Sequence, residues 1–216
     1  ILSSVAKVSG GEGIRIKPVG MHTKAEWTIQ MSAIYSSLTR SNLTTAYLSN
    51  GTGGEFYTRI SSTAGIQVKN GRDGDDTWTQ IPLQAGKWLH ITYVHKDKKT
   101  TVYVNGKVQK VFENSAITFG ENSMIVVGNS GYRNDYLREI RLWDKALTES
   151  EINDYLYLPM DPATPHLISY LPLSKEMETK DLKAPAGTEN VTTKARIEYV
   201  ENVKFPADEL VIVNQE

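Results

Sequence analysis

Apolar and polar residues alternate with a period of two along most of this chain. The segments IRIKPV (14–19), WTIQMSAIY (27–35), TAYLS (45–49), EFYTRIS (55–61), GIQVK (65–69), WLHITYV (88–94), TTVYVNG (100–106), KVQKVF (107–112) and SMIVVG (123–128) are rich in β-branched and aromatic residues, which is the signature of half-buried strands. Turn-forming clusters separate them at NGTGG (50–54), NGRDGDD (70–76), DKK (97–99), Asn105-Gly106, GEN (120–122) and GNSG (128–131). Asn105-Gly106 is the strongest signal, because both residues accept the positive φ that a two-residue hairpin turn requires. Many short strands at this spacing predict an antiparallel sandwich or barrel.

One segment departs from the pattern. KALTESEINDYLY (145–157) reads as a short helix. Thr148 fits the N-cap, Glu151 three residues later completes a capping box, and Leu147 with Ile152 suits a hydrophobic staple. Pro159, Pro162 and Pro165 end it. HLISYLPL (166–173) returns to strand, DLKAPAGTENVTTK (181–194) reads as a turn-rich loop, and ARIEYVENVKF (195–205) as a last strand.

Composition narrows the function classes. With 216 residues, the chain fits one large β-sandwich and can bury a sizeable core without staples. It has no cysteine, which removes thiol catalysis, zinc–thiolate sites and disulfides together. A net charge of −1 gives no global field to attract nucleic acid or an anionic membrane. No apolar run approaches the roughly 18 residues of a membrane helix, so direct membrane insertion is not expected. The opening ILSSVAKV, with no Met and no leader, reads as a mature or excised piece of a longer protein.

The chemistry-bearing residues are sparse. His90 and His95 are five apart, so on a regular strand they face opposite ways and cannot share an ion. His95, beside Lys96 at a hairpin end, is expected in solvent, and His90 half-buried beside Trp88 or a cross-strand neighbour. His22 and His166 stand alone. A retaining sandwich glycosidase needs two acids about 5–5.5 Å apart, hence at i and i+2 or i+4 on a cleft-facing strand. Glu176 and Glu178 have that parity but lie in a Lys-rich polar stretch, and Glu198 with Glu201 has the wrong parity. There is no G-x-S-x-G elbow and no phosphate-binding glycine motif before a helix.

Two ligand classes remain. Asp73, Asp75 and Asp76 gather hard oxygens in one turn and make a calcium candidate, although the EF-hand spacing is absent. Asn129, Asn134 and Asp135 form a second. Sugar-binding modules present aromatic faces flanked by amides, carboxylates and guanidinium groups. Tyr132, Arg133, Asn134, Asp135 and Tyr136 cluster in an expected loop, and Trp78 follows the acidic turn; these are the candidate ligand-binding residues. The competing reading is that Trp78 and Tyr136 plug the ends of the sandwich. Trp27, Trp88 and Trp143 sit in strongly patterned segments and are expected in the core.

GKWLHITYVHKDKKTTVYVNGKVQ resembles the central signature of laminin-G-like, concanavalin A-like domains: Gly-x-Trp, a histidine, an alternating strand and a Tyr-Val-Asn-Gly-Lys hairpin. YLREIRLWDKALTESEI is similar to the family's closing motif, a strand ending in Arg-x-Trp that runs into a short helix. KAEWTIQMSAIY and VVGNS match further elements in order, over about residues 14–158. The region from HLISYLPL onward is similar to the C-terminal extension of such domains in surface proteins of gut Bacteroidetes. The resemblance implies an all-β, two-sheet antiparallel jelly roll with one short helix in its C-terminal half. Residues 1–205 would form one laminin-G-like domain and 206–216 a terminal strand or linker remnant.

The resemblance further implies an exported, extracellular or cell-surface module of a multidomain protein, of a kind found in glycan-utilisation systems. It would be non-catalytic and would bind a glycan or polysaccharide through loops or the concave sheet, with neighbouring domains as further partners. The alternative is a structural or protein–protein interaction module without sugar binding. Arg138 stands before Glu139 where relatives often carry Asp, and APAGTEN replaces a frequent Gly-Asn-Gly; no family calcium ligand maps onto a residue here.

Overall fold

A computed structural model describes residues 4–20, 25–39, 43–49, 54–69, 75–113, 117, 122–128, 131–201 and 203. In chain order the strands are β1 (Ser4–Ser9), β2 (Ile14–Ile16), β3 (Trp27–Ile34), β4 (Ala46–Ser49), β5 (Gly54–Ser61), β6 (Gly65–Lys69), β7 (Leu89–Lys96), β8 (Lys99–Val104), β9 (Lys107–Glu113), β10 (Met124–Val127), β11 (Arg133–Trp143), β12 (Leu167–Leu171), β13 (Val191–Thr192) and β14 (Arg196–Glu201). A 3-10 turn at Asp75–Thr77 and helix α1 (Glu149–Asp154) complete the described elements.

The strands form two antiparallel sheets. One has eight strands, in the order β14-β1-β11-β3-β7-β8-β9, with β12 also paired to β11. The other has six, in the order β13-β2-β10-β4-β5-β6. The Asn105-Gly106 turn forms as its sequence dictates, both residues at positive φ (51° and 76°) and Val104 facing Lys107. The turn after β7 uses Asp97 and Lys98 at φ 53° and 61°, a conformation that costs a side-chain-bearing residue roughly 1–2 kcal/mol.

An aromatic cluster joins the sheets. Trp27 of the eight-stranded sheet meets Phe56 of the six-stranded sheet edge-on, with centroids 5.0 Å apart. Phe56 in turn meets Tyr93 edge-on at 5.5 Å, and the Tyr93 hydroxyl hydrogen-bonds Thr45. Burial raises the Tyr93 pKa to about 12. His95 belongs to this cluster and not to solvent, which corrects the sequence expectation. It is 1% exposed and stacks on its cross-strand partner Trp27 at 5.1 Å.

The Ile117 amide donates to His95 Nε2, so the ring proton sits on Nδ1 and faces Thr100 Oγ1 at 3.0 Å. The pairing of β3 with β7 runs unbroken from Trp27–His95 to Ala33–Leu89. Parity therefore holds, and His90 faces the other side of the sheet, where it is also buried rather than half-buried and meets Tyr157 edge-on. Trp27 and Trp143 are buried as expected, whereas Trp88 is half-buried just before β7.

The outer face of the eight-stranded sheet is covered. Val94, Tyr103 and Trp143 on that face pack with Leu147, Ile152, Met160, Leu167 and Tyr170. The helix is shorter than the expected 145–157. The Thr28 hydroxyl donates to the Lys145 carbonyl and accepts from the Leu147 amide, holding those residues extended until the Thr148 cap. The capping box is present, Thr148 accepting from the Glu151 amide and Glu151 from the Thr148 amide.

Arg141 fixes the exit of the helix. Its guanidinium pairs with Glu139 at 2.5 Å and donates to the carbonyls of Tyr155 and Leu158. Glu139 also accepts from the Tyr170 hydroxyl at 2.9 Å and sits at φ 58°, where a bulge interrupts the pairing of β11 with β3. Strand β1 was not visible as an alternating run; it is recruited between β11 and β14.

Two outcomes follow from this packing. Arg141→Met leaves Glu139 as a buried unpaired charge and is expected to cost about 3–5 kcal/mol; adding Glu139→Leu should recover part of that loss in urea denaturation. Equal stability of Arg141→Met and the parent would show that the pin is dispensable. Burial, with the Arg141 charge second, lowers the His90 pKa to about 3, and burial lowers that of His95 to about 4. The unfolded chain binds protons near 6.5 that the native state refuses, so stability is full above that pH and declines as pH falls from 6.5 towards 4. His95→Gln should flatten the fall in melting temperature between pH 7 and pH 4.5, and an unchanged slope would contradict the assignment.

Candidate functional site

The two outer faces differ. Strands β3 and β7 are buried at nearly every position because both of their faces are covered. Strand β4 instead alternates buried and half-buried residues, as does β5 over its described side chains. Ala46, Leu48 and Phe56 point into the core, so Tyr47, Tyr57 and Arg59 point outward from the six-stranded sheet.

Register brings these outward residues into rows. Across the sheet run Arg15, Val126, Tyr47, Tyr57 and Lys69, each paired with the next on the neighbouring strand. Val126 is 1% exposed between the longer side chains of Arg15 and Tyr47, which makes this part of the face flat. The Tyr47 and Tyr57 rings lie 6.0 Å apart, tilted by 34°. The Tyr57 hydroxyl is held by Thr44 at 2.8 Å, and the Arg59 guanidinium stands 5.4 Å over the Tyr57 ring.

A second row holds Arg59, Gln67 and Trp78. Arg59 pairs with Gln67 in the ladder, and an isolated bridge joins Gln67 to Trp78. Paired residues share a face, so the half-buried Trp78 extends the tyrosine face past β6. Lys110 clamps this segment from the other sheet by donating to the carbonyls of Asp76 and Trp78. Gln67 donates to Thr77 at 2.9 Å, while its Oε1 and the Arg59 Nε are buried without a partner.

Residues 132–136 are not a loop. Arg133 opens β11, so alternation divides the group. The Tyr132 ring is 3% exposed and its hydroxyl donates to the Val127 carbonyl, which withdraws its face from any ligand. Asp135 is fully buried, with its carboxylate oxygens accepting from the amides of Ser36 and Arg133. Arg133 and Asn134 are exposed, and Asn134 exchanges hydrogen bonds with Ser9. Tyr136 is half-buried opposite Lys7 on the outer face of the eight-stranded sheet. A groove of about 350 Å³ lies there between Lys7, Ser9, Asn134, Arg196, Ile197 and Glu198.

Of the acidic turn, Asp73 lies outside the described residues, Asp75 begins the 3-10 turn and Asp76 is exposed. Asn129, His22 and the tail 206–216 also lie outside them. Among the described residues no three or more His, Asp or Glu side chains converge as metal ligands. His166 is exposed and pairs with Asp144 at 2.8 Å, and Glu176 and Glu178 are both exposed.

A two-sheet antiparallel sandwich with one covered outer face and one open aromatic face is the architecture of a lectin-like domain. The family model of the concanavalin A-like lectin/glucanases superfamily, laminin G type, matches residues 9–153, and the chain belongs to that superfamily. No curated protein sequence matches it.

Among solved structures, the chain is similar to a Bacteroides ovatus protein described as an inferred carbohydrate binding protein (TM-score 0.70, 19% identity, 94% of this chain and 61% of that one). It therefore spans less than two thirds of that protein's length. It is also similar to a heptameric SAP-like pentraxin from Limulus polyphemus (TM-score 0.60, 13% identity, 92% and 95%). A third likeness is to Trypanosoma rangeli sialidase, over 26% of that chain (TM-score 0.51, 14% identity). At these identities the likeness is one of fold.

Among the described residues no helix is long and apolar enough to cross a membrane.

Proposed function

We propose that this chain is a non-catalytic carbohydrate-binding module that docks a glycan on the outer face of its six-stranded sheet. The observation that carries this reading is the paired Tyr47 and Tyr57, extended by Trp78, on the one large sheet face that nothing else in the described fold covers. Aromatic side chains present apolar surface to the C–H faces of a sugar, and Arg15, Arg59 and Gln67 offer hydrogen bonds to its hydroxyls. A flat platform encloses little ligand, so affinity for one chain segment is weak and grows when several modules act together. The superfamily and the sandwich fold support the reading.

The same reading places the protein outside the cell or on its surface, as one module beside others in a longer polypeptide. The exposed rim residues Arg133 and Asn134, with Tyr136 beyond them, form a second place where a glycan could rest, on the opposite sheet. A calcium ion at Asp73, Asp75 and Asp76 would order the approach to Trp78.

A glycan array followed by calorimetry on the best ligand tests these points. Tyr47→Ala and Tyr57→Ala are each expected to weaken binding at least tenfold, from about 1.5–3 kcal/mol of lost ring contact, while melting stays within a few degrees of the parent. If Arg133→Ala and Asn134→Ala weaken binding and the tyrosine changes do not, the rim is the site. If no glycan binds, the structural-module alternative stands. Chelation should lower both melting temperature and affinity if the acidic turn holds calcium; no change in either removes that ion from the account.

A further inference from the structure

Arg59 is a charged group that forms no ion pair with a described side chain. It is half-buried on β5, and no carboxylate among the described residues pairs with it. Its Cζ lies over the Tyr57 ring, 5.4 Å from the centroid. A guanidinium held over an aromatic face by cation–π attraction still has terminal N–H donors to offer a planar two-oxygen acceptor. Its Nε is enclosed and unsatisfied, which costs stability. Around it stand Gln67 across the ladder and Lys69 opposite Tyr57. Arg15, at the far end of the row, is neutralised by Glu12 at 2.6 Å, which shows the pairing that Arg59 lacks.

The chain as a whole carries a net charge of −1. Positive charge on the aromatic face is therefore a local arrangement and not a reflection of composition. A neutral sugar would use the tyrosines and leave this charge uncompensated. A sugar with a carboxylate would place it against Arg59 while its ring, or its neighbour in the chain, lies along the tyrosines.

We propose that the glycan taken by this face is acidic, a uronic-acid-containing oligosaccharide, and that Arg59 is the residue that selects the carboxylate. This rests on the sugar-binding reading above and deepens it. The charge-assisted fork gives discrimination against a neutral analogue, because the uncharged ligand leaves Arg59 unpaired.

The experiment compares matched pairs. Oligosaccharides derived from polygalacturonate, alginate and glucuronoxylan are each titrated beside their carboxyl-reduced, neutral counterparts. The parent is expected to bind at least one acidic member tenfold or more tighter than its reduced partner, with the ratio shrinking as salt rises. Arg59→Gln should bring the ratio near one and Arg59→Lys should retain part of it, with melting temperatures confirming that both variants fold.

Equal affinity for acidic and reduced members, or a ratio untouched by Arg59→Gln, overturns the assignment while leaving sugar binding in place. No binding to either member of any pair, nor to the wider array, overturns both.

Discussion

The position of the open face follows from one covering constraint. The central strands of the eight-stranded sheet are buried on both sides, and the chain between Asp144 and Leu173 is what covers their outer face. That cover has little regular structure of its own, since α1 is six residues long, so it must be pinned. Arg141 does this by binding Glu139 within the sheet and two carbonyls beyond the helix with one rigid group. Glu139 reaches it because a bulge turns the residue out of the regular ladder, a common device for re-aiming one side chain. With that cover spent on this side, no described segment packs over the outer face of the six-stranded sheet at Tyr47 and Tyr57, which are half-buried.

The two histidines of the central hairpin show how polar groups serve such a fold. Each lies on a different face of β7, and neither titrates near neutral pH, because burial disfavours the charged ring. His95 acts as a core aromatic with two hydrogen bonds. His90 lies in a polar layer under the cover, where Gln30 bridges Trp143 and Thr92 and Asn105 joins the hairpin turn to Tyr157. The Asn105-Gly106 turn is thus also a docking point: Asn153 of α1 donates to the Gly106 carbonyl, and a Cβ on Gly106 would strike that side chain at 2.1 Å.

The proposed binding face is of a kind that sequence motifs do not mark. Tyr47 and Tyr57 are ten residues apart, Trp78 lies further on, and Arg15 and Val126 come from distant parts of the chain. Trp78 is marked by the acidic turn before it, whereas Tyr47 and Tyr57 stand within strands, where residue type alone does not tell core from surface. The cluster at 132–136 attracted attention because its residue types suit sugars, yet it opens a strand, and alternation sends Asp135 inward beside Val8. The signal that could have found the platform was the outward parity of the tyrosines in TAYLS and EFYTRIS, combined with the knowledge that this face stays uncovered.

Sequence alone determined what depends on neighbours within a few residues. Alternation gave most strands, Asn-Gly gave the hairpin, Thr148 with Glu151 gave the helix start, and the five-residue spacing of His90 and His95 put them on opposite faces. These hold because strand parity, turn φ angles and capping are local properties of the backbone. Tertiary structure decided which faces are covered, why His95 is dry, how far the helix runs, and which aromatics face outward together. Those depend on register between strands distant in the chain and on a covering segment whose own sequence does not say where it will lie.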